Sequence, residues 1–115
     1  MSQEPNSQAL TARIRMLNDH LRTTRQGGRC VMTAGVAALS PSRVALLWRR
    51  VAEFNEFDPD NDPYGEHDFG RFEQDGESFF WKVDYYDKDV RFGSDDPADP
   101  GVTTRVLTLM LASEY

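Results

Sequence analysis

Cysteine is nearly absent. Cys30 is the only one in 115 residues, so no disulfide can form within the chain. A lone thiol suits a reducing compartment. Its setting in the apolar run Cys30-Val31-Met32 reads as a small buried side chain rather than a nucleophile. Long apolar runs are lacking too: none approaches the roughly 20 residues that cross a bilayer, and no signal-peptide core follows Met1. These absences together predict a cytoplasmic protein.

Several chemistries lack their minimum parts. Gly27-Gly28 and Gly35 match neither nucleotide-loop pattern, and no Ser or Cys stands in a nucleophile elbow. The two histidines, His20 and His67, have no third clear nitrogen or sulfur ligand to complete a zinc site. The alternation from Asp58 through Asp60 and Asp62 to Glu66 and Asp68 invites comparison with a calcium loop. It fails at two positions: Pro63 takes the place of the sharp-turn glycine, and Phe69 that of the closing bidentate glutamate. No metal and no cofactor is expected.

What is present suffices for one domain. A chain of 115 residues buries roughly two-thirds of its unfolded surface. The apolar fraction, 39%, is low, but seven Phe, four Tyr and two Trp offset it with large burial per residue. The net charge of −6 conceals an asymmetry. Residues 1–50 carry eight arginines against Glu4 and Asp19, a balance of +6, whereas residues 51–115 set five basic groups against 17 acids, a balance of −12. Overall acidity argues against bulk nucleic-acid binding and favours an acidic face that meets a basic partner.

Residues 1–6 are polar, contain Pro5 and read as a flexible terminus before a single domain over 7–115. Leu10, Ile14, Leu17 and Leu21 recur at helical spacing until Gly27-Gly28. Arg29–Thr33 predicts a short strand. Ser40-Pro41 is a helix cap followed by a first-turn proline, with Val44, Leu47, Trp48, Val51 and Phe54 on one side of the helix behind it. Pro59, Pro63 and Gly65 make 55–65 a loop. Asp75-Gly76 is a two-residue hairpin turn, and Ser78–Tyr86 is its aromatic return strand. A further short strand is expected over 87–92, and Asp99-Pro100 predicts a last, deeply buried helix over 101–114. The order α-β-α-β-β-(β)-α makes an α+β domain with helices on one face of a small, mainly antiparallel sheet.

The hairpin turn also fixes register. Counting outward pairs Phe72 with Phe79, Gly70 with Trp81, Asp68 with Val83 and His67 with Asp84. Gly70 then leaves room for the Trp81 indole. His67 beside Asp84 is a template for general acid–base work, or equally a partly exposed cross-strand ion pair with no catalytic role. The turns around Asp62-Pro63 and Asp96-Pro97 are expected on one edge of the sheet. Asp58, Asp60, Asp62, Glu66, Asp68, Asp95 and Asp96 would there form an acidic, partner-binding rim with interleaved aromatics.

A resemblance adds to this reading. Leu17-Asn18-Asp19, Thr33-x-Gly35, Asn61–Gly70, Trp81–Asp87, Asp95–Pro100 and Thr104–Thr108 together resemble an uncharacterised bacterial family, domain of unknown function 3768, over residues 13–115. The family has no assigned activity, so the resemblance carries over no catalytic residue. It implies a proteobacterial accessory protein associated with plasmids and other mobile elements, and hence a partner class, a host defence protein such as a CRISPR or restriction component. Three expectations stand: a non-enzymatic acidic binding protein, an enzyme using His67 and Asp84, and a nucleic-acid-binding regulator using the arginine-bearing helices.

Overall fold

A computed structural model describes residues 7–115; the terminus expected over 1–6 lies outside the described residues. The elements are α1 (Ser7–Thr24), β1 (Arg29–Met32), α2 (Ala34–Ala37), α3 (Pro41–Glu53), β2 (Phe69–Gln74), β3 (Glu77–Tyr86) and β4 (Thr104–Leu111), closed by a 3-10 turn over Ala112–Glu114. The domain is α+β: a four-stranded sheet ordered β1-β4-β3-β2, antiparallel except where β1 runs parallel to β4.

Local signals set the first elements. On α1 the buried residues are Ile14, Asn18, Leu21 and Arg22, so two polar side chains share the inward face with the aliphatic stripe. Ser40 caps α3 by accepting from the Arg43 N–H, and Pro41 fills the first turn. Leu47, Trp48 and Val51 then bury against the sheet. Asp75 and Gly76 both sit at positive φ, 53° and 81°, the geometry a two-residue hairpin needs. The resulting register pairs Gln74 with Glu77, Phe72 with Phe79 and Gly70 with Trp81. A Cβ at Gly70 would collide with the Trp81 indole.

The last element is a strand, not the helix expected over 101–114. Its apolar residues alternate once paired: Leu107 and Leu109 lie opposite Val83 and Trp81, while Val106 and Thr108 lie opposite Asp84 and Lys82. A short apolar run is compatible with either element, and the open slot between β1 and β3 decides for the strand. Residues 87–92 form no strand. Asp87 N–H bonds Phe92 O and a single bridge joins Tyr86 to Gly93.

All helices pack on one face. Leu21, Val36, Leu47, Trp48, Val51 and Phe54 meet Phe72, Phe79, Trp81, Val83, Leu107 and Leu109 in one core. Phe80, Lys82, Asp84 and Tyr86 point the other way, where Tyr115 packs edge-on against Phe69 and Phe80.

Candidate functional site

The polar residues on the inward face of α1 organise the site. Asn18 is fully buried. Its amide donates to Glu66 O at 3.0 Å and to the Tyr85 hydroxyl at 2.7 Å, and its carbonyl accepts from Arg105 Nε at 2.9 Å. Tyr85 in turn donates to the Glu66 carboxylate at 2.8 Å. Burial, with the Glu66 carboxylate adding to it, pushes the Tyr85 hydroxyl far above its ordinary range, so it remains a neutral donor. Arg105, 2% exposed, stacks over the Tyr85 ring and donates to Pro97 O. Burial lowers the Arg105 pKa.

One helical turn on, Arg22 does the same for the end of α3. Its guanidinium donates to the carbonyls of Val51, Ala52 and Phe54 at 2.8–3.2 Å and to Asp19 at 2.8 Å. It lies over the rings of both Phe57 and Trp81, which meet edge-on. Helix C-terminal carbonyls are short of partners, and a buried cation serves three of them here, Val51 O also accepting from the Phe54 N–H.

His67 is where the expected geometry changes. Strand pairing stops at Phe69, with one further bond from Val83 N–H to Asp68 O. His67 then turns through φ 55°, a conformation few non-glycine residues adopt. The turn carries its ring to the helical face, away from Asp84. The ring stacks on Phe57 at 3.7 Å between centroids, with Nδ1 3.0 Å from Asp19 and Nε2 3.8 Å from Asp62. Asp62 is buried and also accepts from the His67 N–H at 3.2 Å. Asp84 pairs with Lys82 at 3.0 Å on the opposite face. The His67–Asp84 pair is therefore not formed. In its place stands an imidazole hydrogen-bonded to Asp19 through Nδ1, with Nε2 3.8 Å from Asp62 and beyond hydrogen-bond distance of it. Among the described residues no group of three or more His, Cys, Asp or Glu is placed to hold a metal ion.

The acidic rim residues sort by what they bind. Asp58 accepts from the N–H groups of Asp60 and Asn61, and Asp96 from that of Ala98, as turn caps. Glu66 holds Tyr85 and Asp62 holds His67. Burial, then the neighbouring Glu66 carboxylate, raises the pKa of Asp68. Among the described residues, the side chains of Asp60 and Asp95 form no hydrogen bond or ion pair, and both are exposed. The two acidic turns flank the first half of α1: Arg15 donates to Gly65 O and Arg13 to Ala98 O, each at 2.8 Å. An open cleft of about 530 Å3 lies between α1 and the first turn, lined by Arg15, Asp62, Pro63 and Tyr64 among others. Tyr64 and Phe92 are 75% and 72% exposed.

Asn18, Asp19, Arg22, Tyr85 and Arg105 escape a reading by strand and helix pattern alone. Their one signal is positional: all except Arg22 lie within the segments that carry the family resemblance, and in the fold these segments converge. A family model described as "Protein of unknown function (DUF3768)" matches residues 32–114. No curated protein and no solved structure matches the chain.

Proposed function

The chain belongs to this family of proteins of unknown function, and from that premise we propose that it is a non-enzymatic binding protein whose acidic loops dock on a basic protein surface. One observation carries the reading: the two acidic turns are fastened on either side of α1, leaving Asp60 and Asp95 exposed beside Tyr64 and Phe92. The 55–68 loop has six carboxylates and no lysine or arginine. Exposed aromatic side chains are enriched at protein contacts, and acidic groups at their rim act on encounter rate and partner choice. A nucleic-acid-binding surface of another protein has the matching sign. A host defence component is the particular partner that the family resemblance suggests.

The acid–base reading has less support, because the His67–Asp84 pair on which it rested is not formed: Asp84 pairs with Lys82 and His67 with Asp19. The nucleic-acid reading has less support because Arg13, Arg15, Arg22 and Arg50 donate to backbone carbonyls of this chain.

Affinity capture from the native host, followed by identification of the bound protein, supplies the partner. Its affinity should then fall at least about tenfold as NaCl rises from about 0.05 to 0.5 M. It should fall further in an Asp60→Asn, Asp95→Asn double variant. Binding indifferent to both salt and these substitutions would sink the proposal.

A further inference from the structure

At the far end of α1 from the acidic loops, the sheet terminates on β1, whose outer edge pairs with nothing among the described residues. Thr33 N–H bonds Leu109 O at 3.1 Å. In a parallel ladder, successive residues turn their backbone groups alternately toward and away from the neighbouring strand. With Met32 opposite Leu109 and Cys30 opposite Leu107, the N–H and C=O groups of Arg29 and Val31 face β4. Those of Cys30 and Met32 face outward.

Beside this edge, on the helical face, lies an open apolar groove of about 460 Å3 lined by Met32, Leu39, Pro41, Val44 and Trp48, with Arg25 at its margin. Met32 is 43% exposed there. The Arg25 guanidinium lies 4.9 Å over the Trp48 ring, and Arg29 is exposed at the start of β1. Neither arginine has a carboxylate partner among the described residues. In a chain of net charge −6, the Arg25–Arg29 end of this edge is locally positive, while the Glu114 carboxylate lies at its far end on Thr33 and Gly35.

We propose that the β1 edge and its groove bind an extended acidic peptide by strand addition. The peptide backbone bonds the outward groups of Cys30 and Met32. Alternate apolar side chains enter the groove over Met32 and Trp48. Carboxylates between them meet Arg29 on the opposite face, and one at the end of the peptide meets Arg25. Main-chain bonds give such a complex its affinity, and alternate pockets and charges give it selectivity. A second copy of the chain fits less well, since its β1 edge presents the same positive residues and no carboxylate to meet Arg25 or Arg29. This surface is independent of the acidic loops, and its test can fail without touching theirs.

The probe is a fluorescein-labelled octapeptide alternating valine and glutamate, titrated into the full chain and read by fluorescence anisotropy. It should bind saturably and slow hydrogen exchange at the Cys30 and Met32 amides. A peptide with lysine replacing glutamate should bind at least about tenfold more weakly. A third peptide, N-methylated at alternate amides, should not bind, because it lacks the donors that strand addition uses. Met32→Glu, at a half-exposed edge position, should weaken binding about tenfold with the melting temperature unchanged. Arg25→Glu provides a second reading should Met32→Glu fold poorly. Absence of saturable binding, undiminished binding of the methylated peptide, or protection confined to amides outside β1 overturns the proposal. So does a concentration-dependent dimer that protects the same two amides without peptide, which would assign the edge to a second copy.

Discussion

The charges of residues 1–50 and those of 51–115 end in different kinds of place. Four of the eight arginines in the first half reach across the fold to its main chain. Arg13 holds Ala98, Arg15 holds Gly65, Arg22 holds the end of α3 and Arg50 holds Glu73, all through backbone carbonyls. Several carboxylates of the second half stay local: Asp58, Asp87, Asp96 and Asp99 each accept from an N–H within four residues. Side-chain length explains the difference. A guanidinium on a long stem presents five donors at a distance and can satisfy several carbonyls at once, whereas a short aspartate closes its own turn. The cations therefore join segments remote in sequence, and the anions shape loops whose outer carboxylates remain in solvent.

The contrast is most severely tested at Arg22. Arg22→Ala leaves three helix-end carbonyls and Asp19 without their shared donor in a buried setting. It should lower unfolding free energy by about 3–5 kcal/mol, measured by urea denaturation. A loss below about 1 kcal/mol would mean that the cation is dispensable and that the contrast is superficial. Asp68 tests the sign for the opposite half. Because its pKa is raised in the fold, the folded state holds its proton more tightly than the unfolded chain. Its contribution is thus fully present in acid, below the unfolded carboxylate pKa, and is lost as pH rises through the folded value. Asp68→Asn should accordingly be slightly more stable than the parent at pH 7, by less than about 1 kcal/mol given its partial exposure. The advantage should disappear near pH 3. A variant less stable than the parent at neutral pH would contradict this. The smallest effect belongs to the Asp60→Asn, Asp95→Asn pair, which should move stability by no more than about 0.5 kcal/mol while altering partner binding. A larger loss would show that these two carboxylates have internal partners after all.

Neither polar cluster at the site is visible in a periodicity argument. Asn18 and Arg22 stand where a helix stripe would place aliphatics, and their burial makes sense only once Glu66 O, Tyr85 and the end of α3 are adjacent. His67 illustrates the limit of counting register outward from a turn. The count holds through Phe69 and Lys82, and in one bond from Val83 N–H to Asp68 O, then fails at His67, where the backbone leaves the ladder at positive φ. The stacking of His67 on Phe57, ten residues earlier, has no counterpart in either strand's pattern.

The sequence alone determined whatever rests on neighbours along the chain. The Ser40-Pro41 cap starts α3, Asp75-Gly76 sets the hairpin and so brings Gly70 under Trp81, and the charge balance makes the second half acidic. These are short-range matters of dihedral preference, spacing and composition. Tertiary structure decided the rest. It made Thr104–Leu111 a central strand, because the gap between β1 and β3 offers a full set of backbone partners that a helix there would leave unmet. It turned His67 toward Asp19 and Asp62, and it directed four arginines onto carbonyls far along the chain. Those outcomes depend on which unsatisfied groups meet when distant segments pack, and no local pattern encodes that.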